Sequence, residues 1–86
     1  MKIIEQLRNE IDNIDLQLVS LLNLRYSYCN EIGKLKKEQG IAVLDSNREQ
    51  EIIDRLSEEE MYYGMVEALW PAIMSFSKNL QSILNK

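Results

Sequence analysis

Residues 4–35, IEQLRNEIDNIDLQLVSLLNLRYSYCNEIGKL, decide the fold. Apolar side chains fall at Ile4, Leu7, Ile11, Ile14, Leu18 and Leu21, then at Tyr28, Ile32 and Leu35. That alternation of three and four residues winds one apolar seam along a helix of the coiled-coil kind. The seam is broken once: the position seven after Leu18 and seven before Ile32 is Arg25, a guanidinium where an apolar side chain is expected. No proline interrupts the run and Gly40 supplies a C-terminal stop, so the pattern predicts one helix over about residues 3–38.

At 1.5 Å per residue such a helix is about 50 Å long, more than the diameter of a compact domain of this size. The 46 residues that follow Gly40 cannot cover all of its seam. A single small domain, residues 1–86, with a core that is marginal alone is therefore expected to pair with a second copy, long helix against long helix. Beyond Gly40 the loop IAVLD leads to VLDSNREQEI, residues 43–52, where Ser46 and Glu49 have the spacing of a capping box. A second helix is predicted over Ser46–Leu56, with Ile52, Ile53 and Leu56 inward. A second capping box, Ser57 to Glu60, would open a third helix over about 58–85. Its apolar positions run Tyr62, Val66, Leu69, Ile73, Phe76, Leu80 and Ile83, with Pro71 kinking it or lying in its first turn. The predicted class is all-α: three helices, long, short and long.

Composition excludes several functions. A net charge of −4 argues against a nucleic-acid or anionic-membrane partner, both of which need clustered Lys and Arg. With no histidine and one cysteine, Cys29, neither a zinc site nor an internal disulfide framework is expected. The N-terminus MKIIEQLRNE lacks a signal peptide's apolar region, and no apolar run approaches the ~20 residues of a membrane span. A cytoplasmic chain is the expectation.

The polar residues on the predicted inner faces carry the chemistry. Lys36 follows Arg25 by eleven residues, almost three turns, so the two point the same way about 16 Å apart, with Cys29 and Ile32 between them. Two cations over an apolar floor suit a small dianion. Ser77 and Gln81 are uncharged hydrogen-bonding groups one turn apart on the stripe Trp70, Met74, Ser77, Gln81, Leu84. Arg48 falls in the first turn of the second helix, where the macrodipole disfavours a cation by about 0.3 to 1 kcal/mol. A nearby anionic ligand would explain it. Arg8 precedes Arg25 by seventeen residues, about 25 Å along one helix and off the same face. If Arg8 holds the same small ligand, it comes from the partner of an antiparallel dimer.

Taken together, LRNEIDNID with Arg8, LLNLR with Arg25, IGKLK with Lys36, DSNRE with Asp45, Arg48 and Glu49, and SKNLQ with Ser77 and Gln81 resemble the all-helical, AroQ-type chorismate mutases. The resemblance covers nearly the whole chain, and its specificity lies in eight polar residues in order. It implies an intertwined antiparallel homodimer that converts chorismate to prephenate, on the route to phenylalanine and tyrosine, by a Claisen rearrangement without cofactor. It further implies that Arg8 of the partner chain and Arg25 hold the two carboxylates, with Ser77 assisting and Arg48 adding positive potential. By the same carry-over, Lys36 and Gln81 donate to the ether oxygen as the C–O bond breaks, and Asp45, through its backbone, and Glu49 receive the ring hydroxyl. Catalysis would rest on Lys36, Gln81, Arg25 and Glu49. Such a reaction moves no proton and needs no nucleophile, so a chain without histidine can run it by preorganisation and by donors aimed at developing charge.

Blander readings stand beside these. Lys36 sits with Lys34 and Lys37 near a helix C-terminus, where cations are favoured anyway. Arg25 also reads as a buried salt-bridge partner or a device that sets dimer register. Arg8 has Glu5 and Asp12 within helical reach, Ser77 and Gln81 can be ordinary exposed residues, and Asp45 and Glu49 can be caps alone. Lys78, beside Ser77, borders the pocket or faces solvent. Two other functions fit the same scaffold: a lyase that releases pyruvate from isochorismate, and a non-catalytic helical dimerisation module.

Overall fold

Gly40 ends the first helix as the spacing predicts. In the computed structural model, which describes residues 2–84, α1 spans Lys2–Gln39. Gly40 adopts the left-handed φ of 68°, and two bonds close the helix behind it: Ile41 N–H donates to the Lys36 carbonyl at 2.8 Å, and Gly40 N–H to that of Lys37 at 3.4 Å. This pairing satisfies carbonyls that the last turn would otherwise leave free. Lys36 and Lys37 place positive charge on that turn.

The second helix, α2, spans Ser46–Ser57, and its cap differs from the expected one. Asp45, not Ser46, is the N-cap, and its carboxylate accepts from Arg48 N–H at 3.0 Å. Asp45 and Ser46 are both competent caps, and the chain selects the carboxylate, which also suits the positive helix end. Glu49 is thereby released from capping.

A larger correction concerns the third helix. It is α3, Met65–Leu84, and begins seven residues later than the Ser57–Glu60 capping box implies. The side chain of Ser57 makes no hydrogen bond among the described residues. Glu60 caps the helix ahead of it instead: its two carboxylate oxygens accept from Gly64 N–H at 3.1 Å and Val66 N–H at 3.0 Å. Gly64 sits at φ 84°, outside the helical region, so the chain turns before α3 can start. Tyr62 consequently lies in the turn, exposed, and not on the helix seam. Pro71 falls inside α3 beyond its first turn, and the helix runs unbroken past it. Asn85, the expected last helical residue, lies outside the described residues.

α3 packs against both α1 and α2. No strand occurs among the described residues, and the three-helix, all-α expectation holds. The molecule is long and thin, 56 × 24 × 14 Å, because most of α1 projects past its neighbours. The buried apolar side chains are Cys29, Ile52, Val66 and Met74, and the polar Ser77 and Gln81 are buried with them. On α3 the stripe facing inward is therefore the one through Met74, Ser77 and Gln81, while Leu69, Phe76 and Ile83 stay exposed. The α1 seam from Ile4 to Leu35 is uncovered along its whole length, each of its apolar members 45–63% exposed. Among the described residues no helix is long and apolar enough to cross a membrane.

Candidate active site

The inward stripes of the three helices enclose a cavity of about 390 Å³ near the C-terminal half of α1. α1 contributes Arg25, Cys29, Ile32 and Lys36 to its walls, in the register that one side chain per turn dictates. The start of α2 contributes Asp45, Arg48 and Glu49, and α3 contributes Met74, Ser77, Lys78 and Gln81. All seven site residues expected from within one chain, Arg25, Lys36, Asp45, Arg48, Glu49, Ser77 and Gln81, thus meet at one cavity. Arg8 does not: it is exposed on the projecting part of α1.

Several of these side chains are held before any ligand arrives. Arg25 Nη1 donates to Ser77 Oγ at 2.7 Å and stands 3.8 Å from Cys29 Sγ. Ser77 in turn donates to the Ile73 carbonyl at 3.0 Å, the helical back-bond that frees its oxygen to accept from Arg25. The guanidinium that breaks the apolar seam is thus half-buried and turned toward α3. Lys36 Nζ donates to the Val43 carbonyl at 3.0 Å, which ties the end of α1 to the loop before α2 and leaves its other protons free. Gln81 is only 7% exposed, and its Oε1 is buried without a partner among the described residues.

Charge is concentrated here against the sign of the whole chain. Four cations, Arg25, Lys36, Arg48 and Lys78, and two anions, Asp45 and Glu49, line the cavity, an excess of two positive charges in a chain of net charge −4. Asp45 is committed to the cap of α2. Arg48 makes a 2.8 Å ion pair with Glu51 at the solvent edge, both side chains more than half exposed. Glu49 points the other way, with its Oε1 2.8 Å from Lys78 Nζ, an ion contact without hydrogen-bond alignment. Among the described residues no cluster of His, Cys, Asp and Glu has the makings of a metal site. What the walls can do is bind and orient a compact dianion with several fixed donors.

Lys78 and the apolar walls from Val43, Ile52 and Met74 were not assigned to the site by sequence. A signal existed for Lys78: it follows Met74 by one turn and precedes Gln81 by three residues, so it shares their face.

Residues 7–82 match the family described as chorismate mutase type II. Over 55 residues the chain is 36% identical to the intracellular chorismate mutase of Mycobacterium bovis, a stretch covering 64% of this chain and 52% of that protein. It is 33% identical over 51 residues to the chorismate mutase of Methanocaldococcus jannaschii, covering 59% and 52%. It is also 33% identical over 67 residues to the bifunctional chorismate mutase/prephenate dehydratase of Aquifex aeolicus, covering 76% of this chain and 18% of that one. The chain spans about half, or less, of the length of these curated relatives.

Proposed function

The chain belongs to the chorismate mutase type II family, and we propose that it rearranges chorismate to prephenate, a step of aromatic amino acid biosynthesis, in a cavity completed by a second copy of the chain. The observation that carries this reading is the meeting of Arg25, Lys36, Asp45, Arg48, Glu49, Ser77 and Gln81 around one cavity with excess positive charge. The reaction breaks an ether C–O bond as a C–C bond forms within the same molecule. The enzyme must hold the substrate compact and meet the negative charge that grows on the ether oxygen.

Arg25, braced by Ser77, takes one carboxylate. The second falls to Arg8 of the partner copy, because this chain's own Arg8 is about 25 Å from Arg25 along α1. Lys36 and Gln81 face the ether oxygen from opposite walls: the ammonium keeps spare protons after binding the Val43 carbonyl, and the Gln81 amide is buried. Glu49 receives the ring hydroxyl. Arg48 reaches the rim and lends positive potential to the carboxylates. The partner copy packs antiparallel, its α1 against the uncovered seam from Ile4 to Leu35 and the exposed Leu69, Phe76 and Ile83 of α3. An apolar surface of that extent is not left to water in a stable protein.

The test is to add chorismate to the purified protein, follow the loss of its ultraviolet absorbance and identify the product. Prephenate is expected, and Lys36→Ala and Gln81→Ala should each lower kcat about a hundredfold or more with a smaller change in KM. Prephenate formed at full rate by either variant would overturn the mechanism. Pyruvate released from isochorismate would move the chain to the lyase reading. Turnover of neither substrate would favour a dimerisation module.

A further inference from the structure

We propose that Lys78 is a positioning residue of this site, holding the Glu49 carboxylate so that its second oxygen faces the cavity and receives the ring hydroxyl of the substrate. This rests on the mutase reading and adds a residue to it. Glu49 enters from α2 and Lys78 from α3, and the 2.8 Å contact between Lys78 Nζ and Glu49 Oε1 bridges the two helices. Neither end of the pair is freely solvated, at 28% and 36% side-chain exposure, and Oε1 itself is buried. Removing the ammonium would leave that oxygen out of water with no compensating charge.

The other cations that line the cavity are engaged elsewhere. Arg48, next in sequence, lies within 4.0 Å of one carboxylate only, that of Glu51. Lys36 is bound to the Val43 carbonyl and Arg25 to Ser77. Of the two carboxylates at the cavity, Asp45 is fixed by its cap, so Glu49 alone is free to turn. The direction matters because Glu49, Met74 and Lys78 also line a second depression, of about 340 Å³, together with Ser46, Gln50, Ile53 and Pro71. Both members of the ion pair line both depressions. Without Lys78 the Glu49 side chain can swing into the second depression, where Ser46 and Gln50 offer polar company, and the hydroxyl loses its acceptor.

A double-mutant cycle on the whole protein reads this directly. Lys78→Met, which keeps bulk and removes charge, should raise KM for chorismate about three- to tenfold with kcat within about twofold, since a contact made alike to substrate and transition state affects binding alone. Lys78→Arg should restore most of the affinity. In a Glu49→Gln background, Lys78→Met should change KM by less than about twofold, because the group it positions is gone. Equal losses in both backgrounds, or a loss confined to kcat, would overturn the assignment while leaving an active mutase. A wild-type protein without turnover would overturn the mutase reading and this inference together.

Discussion

If the cavity takes Arg8 from a second copy, two inactive variants should restore each other. Arg8→Ala removes one charge-assisted carboxylate contact, worth about 1.5 to 3 kcal/mol, and Lys36→Ala removes a donor to developing charge, worth about 3 to 4 kcal/mol. The losses are then about tenfold to several hundredfold. In a mixed dimer one site carries both lesions and the other carries neither, because Arg8 and Lys36 of one chain serve different cavities. Equal amounts unfolded and refolded together give about half mixed dimers, each with one intact site, so about a quarter of wild-type activity per chain should return. The assay is the initial rate at chorismate well below the wild-type KM, which reads kcat/KM, with a mixture never unfolded as the blank. Sedimentation should give about 20 kDa, twice the 10.1 kDa chain. A refolded mixture that only averages its parents would refute the shared site, and so would an Arg8→Ala protein with unchanged kcat/KM.

Two further substitutions test the fold and the site separately. Glu60→Ala removes both side-chain acceptors at the start of α3 and should cost about 1 to 2 kcal/mol in urea unfolding, whereas Ser57→Ala should cost less than about 0.5 kcal/mol. The reverse order would restore the Ser57 capping box. Gln81→Leu fills the same volume without a buried unpaired oxygen, so stability should rise by about 1 kcal/mol while turnover falls at least as far as in Gln81→Ala. A loss of stability with turnover retained would show that Gln81 is an ordinary core residue.

The long helix was legible because a period sustained from Ile4 to Leu35 has no competing explanation, and Gly40 could end it in only one way. Helix starts were less legible. Asp45 and Ser46 are adjacent and both able to cap, and Ser57 and Glu60 have the right spacing without the right backbone between them, since Gly64 breaks the chain further on. The inner face of α3 was legible only in part. Two apolar stripes flank each other on that helix, and periodicity cannot say which meets this chain and which is left outward. The cavity residues were found through their order along the chain. Lys78 was left open between pocket and solvent, because its spacing from Met74 and Gln81 gives the face but not the partner, Glu49, which is 29 positions away.

The placement of polar groups favours a ligand-binding site over a mere dimerisation module on physical grounds. A helix whose task is packing would fill the positions of Ser77 and Gln81 with Leu or Ala, because each polar group taken from water must be paired or costs about 1 to 3 kcal/mol. Here, among the described residues, both are buried with four apolar side chains, and the Gln81 oxygen has no partner. Arg25 repeats the pattern by interrupting the seam, as does the gathering of four cations around one cavity of an acidic chain. Each choice weakens a small domain whose stability is already marginal. They share one location and one sign of charge, so a dianion bound there would relieve their repulsion and pair their free donors together. Folding alone gives no reason to collect these costs in one place; binding a dicarboxylate does.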